Sequence, residues 1–135
     1  MVMSKSCQCK NGGTCVYCGS LIKKETRFTY ADYCTWPDDE HWELIDGKAY
    51  AMSSPTVSHQ AISMALSRLL STFLLGKECK VFAAPFDVRL CADGADDTVV
   101  QPDVLVVCDE SKLSDGKGVR GAPDLVVEIV CVRSR

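Results

Sequence analysis

The sequence predicts an α/β domain, a mixed sheet flanked by helices, on three observations. An Asp46-Gly47 pair separates two short strand-like runs. Apolar residues recur at helical spacing over 57–75. Two β-branched runs, 99–108 and 125–132, each hold one carboxylate.

In chain order, Thr29 can cap a short helix, with Asp32 three positions on and Tyr30, Tyr33 and Cys34 on one face. Pro37 stops it. Residues 42–45 and 48–52 then read as the arms of a hairpin about Asp46-Gly47. After the Ser53-Ser54-Pro55-Thr56 break, Ile62, Leu66, Leu69, Leu70 and Phe73 form the apolar stripe of a long helix closed by Gly76. Residues 80–90 contain Pro85 and read as a bent or edge strand. Residues 109–123 are polar, with four Gly/Pro positions, and read as a loop.

With 135 residues the chain suffices for one compact domain. Composition changes near Thr26, which divides a cysteine-rich leader (1–25) from the packed domain (26–135). The net charge of -3 does not by itself mark a nucleic-acid binder, although Lys23, Lys24 and Arg27 lie close together. No stretch approaches the ~20 apolar residues of a membrane helix, and no apolar export segment follows the N-terminus. The expected location is therefore cytoplasmic. There the nine cysteines serve as metal ligands or packing thiols rather than as a disulfide framework. Cys7, Cys9, Cys15 and Cys18 can close a tetrahedral zinc site, the alternative being a metal-free leader. Cys34, Cys79, Cys91, Cys108 and Cys131 lie in apolar stretches and are expected in core or near-surface packing.

Asp103 and Glu128 carry the sharpest chemical signal. An ionised carboxylate inside an apolar strand is costly unless a partner or a cation compensates it. Two on neighbouring strands suit magnesium, which takes one or two carboxylates together with substrate phosphate. The competing reading exposes Asp103 after Pro102 and puts Glu128 on a solvated face. Taken alone, Glu43 reads as a surface residue of the hairpin and His59 as a capping or packing residue.

Six segments in order then point to a family: Thr-Tyr-Ala-Asp-Tyr, Trp-Glu-Leu-Ile-Asp-Gly, Met-Ser-Ser-Pro-Thr-Val-Ser-His-Gln, Phe-Asp-Val-Arg-Leu, Val-Gln-Pro-Asp-Val and Gly-Ala-Pro-Asp-Leu-Val-Val-Glu-Ile. Together they resemble the Uma-two family of restriction endonucleases over about residues 28–130. The resemblance implies the PD-(D/E)XK, restriction-endonuclease-like fold and Mg2+- or Mn2+-dependent hydrolysis of DNA. It places Asp103 and Glu128 at the metal, Glu43 as an auxiliary acid, His59 as a support or phosphate contact, and Asp87 at a family position of undefined role. DNA is the expected partner, with a homodimer as the candidate assembly.

The family pattern continues past the glutamate into a helix with a lysine, so the chain reads as C-terminally truncated. Val130 stands where many nucleases of this fold place lysine. Weak or absent catalysis is the expectation. Two rivals remain open: a non-catalytic DNA- or protein-binding module of the same fold, and a zinc-binding protein acting through its N-terminal cysteines.

Overall fold

The structure, a computed structural model, describes residues 26–37 and 39–130. Its first helix, α1 (Tyr30–Tyr33), is a single turn. The Asp32 carboxylate fixes its start, accepting from the Thr29 amide at 2.8 Å and the Thr29 hydroxyl at 2.9 Å. Strands β1 (Trp42–Ile45) and β2 (Lys48–Ala51) form the expected hairpin. Asp46 and Gly47 both take positive φ, 49° and 75°, as a two-residue primed turn requires.

The long helix, α2 (Val57–Phe73), begins where the Thr56 hydroxyl accepts the His59 amide. Gly76 follows its end at φ 76°. The face turned to the protein differs from the expected stripe. Ile62, Leu69 and Phe73 remain 48, 60 and 69% exposed. His59, Ser63, Leu66, Ser67 and Leu70 are the half-buried positions. Ser67 can sit there because its hydroxyl donates to the Ser63 carbonyl at 2.8 Å, which satisfies it within the helix.

The run 80–90 is broken at Pro85, in keeping with the expected bend, and the run 99–108 is divided as well. Residues 80–90 become β3 (Lys80–Ala83) and β4 (Asp87–Arg89), with a cis Ala84–Pro85 bond between them. Residues 99–108 become β5 (Val99–Val100) and β6 (Val104–Val107), interrupted at Pro102. The pairs β3–β6 and β4–β5 are nevertheless two halves of one antiparallel ribbon. Ala83 faces Val104 in one half and Val88 faces Val100 in the other, so residues 84–87 lie opposite 101–103. That one-residue surplus is a bulge, and bulges bend the ribbon that carries them.

The bend sends the halves into different sheets. One has five strands in the order β2-β1-β5-β4-β7, where β7 (Gly118–Arg120) pairs parallel to β4. The other is antiparallel, β3-β6-β8, with β8 (Leu125–Val127) beside β6. β7 and a short 3-10 helix (Glu110–Leu113) lie in the segment expected as loop, because a three-residue strand paired with a distant partner leaves no periodic signal.

Every residue of β6 is buried. Leu105 and Val107 pack with Val88 and Val119 in the core, while α2 lies against β3 and β6. Arg89, largely buried, bonds Asp96 at 2.8 Å and stacks its guanidinium 3.7 Å over the Tyr30 ring, tying α1 to the sheet. The cysteine expectation fails at two positions: Cys79 and Cys108 form a disulfide instead of packing as thiols. They extend the β3–β6 register by one step and so stand opposite each other, a pairing invisible until that register is known. Cys34 and Cys91 are free thiols at the surface rather than in the core. Among the described residues, no helix is long and apolar enough to cross a membrane.

Candidate active site at the ribbon bend

The bulge gathers the polar residues of the sequence motifs. Asp103 lies one residue before β6 and Glu128 one residue after β8. β6 and β8 pair with Val104 opposite Val127, so the next step of the register sets Asp103 opposite Glu128. The Asp103 Oδ2 atom accepts the amide of Ile129 at 2.7 Å, which joins the two chain segments at that point.

His59, in the first turn of α2, reaches the other oxygen: its Nε2 lies 3.1 Å from Asp103 Oδ1, with both side chains about 15% exposed. The sequence reading of His59 as a capping or packing residue is incomplete, since the imidazole also holds the aspartate. The other ring nitrogen, Nδ1, is buried without a hydrogen-bond partner among the described residues.

Glu43 comes from β1 in the other sheet. Its Oε1 accepts the backbone amide of Gln101 at 2.9 Å, so it faces the bend rather than acting as a plain surface residue of the hairpin. Three acids from three strand ends or strands are thus close enough to sense one another. Glu128 is an exposed residue, yet its carboxyl is held above its ordinary range, first by partial desolvation, then by the negative charges of Asp103 and Glu43, with His59 working in the opposite direction.

A second polar cluster continues from the first through Gln101. Its side-chain amide donates to Asp87 Oδ1 at 2.8 Å and to the Tyr33 hydroxyl at 3.2 Å. That hydroxyl in turn donates to the same Asp87 oxygen at 3.0 Å. Burial, and then the charge of Asp87, pushes the Tyr33 phenol well above its usual value, so it remains a donor. Beside this cluster opens a cleft of about 310 Å3, lined in part by Tyr33, Trp36, Trp42 and Lys117. Tyr33 and the cleft were not legible in the sequence as site features. Gln101 lay within the Val-Gln-Pro-Asp-Val segment but carried no titratable signal.

The donor set fits a hard cation in a limited sense. Among the described residues, no group of three or more His, Cys, Asp or Glu side chains is placed to hold a metal ion by itself. Magnesium needs none, since it retains several waters and takes one or two carboxylates plus phosphate oxygens. A cation between Asp103 and Glu128 would offset both the desolvation of the Glu128 carboxylate and its repulsion by Asp103. The expected zinc ligands Cys7, Cys9, Cys15 and Cys18 lie outside the described residues, as does Cys131.

Comparison with known proteins agrees with this architecture. The Uma2 family model, described as "Putative restriction endonuclease", matches residues 30–132. No curated protein matches the chain. A solved structure from Anabaena variabilis ATCC 29413, described as "a putative nuclease belonging to DUF820", superposes with a TM-score of 0.60 at 19% identity. The match covers 77% of this chain and 59% of that one, so this chain spans well under two thirds of the solved protein, and at that identity the likeness establishes the fold.

Proposed function

This chain belongs to the Uma2 family, and from that premise we propose that its ribbon bend is a site for divalent-cation-dependent hydrolysis of DNA phosphodiester bonds. The observation that supports it best is the placement of Asp103 opposite Glu128, with the Glu128 carboxyl held high by partial desolvation and by the other acids. A magnesium or manganese ion bound there would neutralise charge on the scissile phosphate and make an attacking water more acidic.

The remaining work falls to the chain. Asp103 is oriented from both sides, by the His59 imidazole and by the Ile129 amide. Such outer partners fix a ligand's direction before the ion arrives. Glu43 is held by the Gln101 amide and adds the third negative charge, which strengthens the attraction for a cation. Hydrolysis adds water across the P–O bond, and the departing oxygen takes up a proton.

Val130, 82% exposed, stands where many nucleases of this fold place a lysine, and this departure favours a second reading, a module that binds DNA without cutting it.

Incubation of plasmid DNA with the full chain and magnesium or manganese, beside Asp103→Ala, tests both. Slow cutting that disappears in the variant supports the nuclease. DNA retention without cutting supports the binding module. Cutting of equal rate by both proteins overturns the assigned site.

A further inference from the structure

We infer that the cleft beside Gln101 receives a single unstacked nucleobase from the strand whose phosphate lies at the acid cluster. The inference rests on the nucleic-acid reading above and extends it to a second subsite.

Gln101 is the geometric link. Its backbone amide bonds Glu43 in the acid cluster, while its side chain lines the cleft with Tyr33 and Asp87. A nucleotide with its phosphate at the acids therefore has its neighbouring base within reach of the cleft. The volume, about 310 Å3, is at the small end of ligand sites and suits one planar group rather than a duplex.

The walls match such a group. Trp36 and Trp42 meet edge to face at 5.7 Å, and Trp36 also packs on Phe28 at 5.4 Å and Tyr33 at 5.3 Å. The Trp42 indole N–H is held by Glu40 at 3.0 Å. These rings are fixed before any ligand arrives, which lowers the ordering cost of binding. Every nucleobase offers a π-face for stacking on an aromatic ring. The polar floor carries a carboxylate, an amide and a phenol, the kinds of group that hydrogen-bond base edges. The lining also holds the acids Glu40 and Asp87, with Lys117 supplying one positive charge for a phosphate.

The protein contains two tryptophans, and both line this cleft and a smaller apolar cavity beside it that includes Phe28 and Ala49, so its indole emission reports on this region of the surface. The full chain is titrated in EDTA with each deoxynucleoside monophosphate in turn, with deoxyribose 5-phosphate as the base-free control. At least one nucleotide should quench emission saturably and deoxyribose 5-phosphate should not. Trp42→Ala should weaken that binding about tenfold, the lower range of what one stacking contact contributes, while Trp42→Phe should retain most of it. Circular dichroism confirms that each variant is folded, and the unmodified chain decides the matter if Trp42→Ala is not. No quenching by any nucleotide, or equal quenching by deoxyribose 5-phosphate, overturns the inference. Quenching in EDTA needs no bound cation, so loss of the hydrolytic reading leaves this result interpretable. Conversely, DNA cutting without nucleotide quenching overturns the cleft and leaves the acid cluster standing.

Discussion

At Asp103 the two carboxylate oxygens have different partners, the Ile129 amide on Oδ2 and the His59 imidazole on Oδ1. Removing a partner that orients a metal-binding carboxylate lowers metal affinity by roughly 10- to 100-fold. His59→Ala should weaken manganese binding by about that factor, and His59→Gln, which retains an amide donor, by less. Unchanged affinity in calorimetric titration would assign His59 to packing. At Glu128 the sign follows from its raised carboxyl. Protonation is favoured in the fold, so that contribution is intact below the ordinary value of 4.5 and is lost as pH rises through the higher folded value. Glu128→Gln should therefore unfold at higher denaturant concentration than the parent chain at neutral pH. The gain should be a few tenths of a kcal/mol, because solvent screens this partly exposed group, and it should vanish below the ordinary carboxylate range. A variant less stable at neutral pH would contradict the repulsion. Both acids were legible as residue types within apolar runs, and Glu43 and His59 entered through the ordered motifs. The hydrogen bonds of Asp103 were not, because they join segments far apart in sequence and depend on the bend.

Among the elements, the hairpin and α2 were legible because their signals are local: two adjacent turn residues in one case, a repeated spacing in the other. The exact face of α2 was not, since the stripe treats serine as polar while Ser67 neutralises its own hydroxyl within the helix. β7 was illegible for the opposite reason, its stability coming from a partner some thirty residues away. Gly118 shows how tight that partnership is. A Cβ there would lie 2.5 Å from the Asp87 carbonyl oxygen and 3.2 Å from the Asp87 Cβ. Both nearby groups are fixed in the β4–β7 pair, so the strands themselves must separate. Gly118→Ala should cost about 1–3 kcal/mol in urea unfolding, the range for forced overpacking. Because the displaced residue is Asp87, the variant should also disturb the Tyr33–Asp87–Gln101 cluster. A neutral substitution would mean that β7 is not held in this register.

For the whole molecule, the α/β class and the family were readable from the order of six motifs, but the arrangement as two sheets was not. A single ribbon that changes sheet at Pro85 and Pro102 looks, in sequence, like two continuous strands. That change of sheet brings β1, β6 and β8 ends together and so creates the site. The same architecture leaves apolar surface at solvent: Leu125 and Val126 on β8, an outer strand of its sheet among the described residues, and Val57, Met64 and Phe73 on α2. Exposed strand edges and apolar patches favour association, so sedimentation should show the mean mass rising with protein concentration. A constant mass at all concentrations would show that these surfaces are harmless singly. Asp103 and Glu128 are proposed to form one cation site at the ribbon bend. Manganese titration followed by electron paramagnetic resonance tests it most directly, because it counts bound ions without requiring turnover. The parent chain should bind an ion that Asp103→Asn/Glu128→Gln does not, with both proteins equally folded. Undiminished manganese binding by the double variant would contradict the claim.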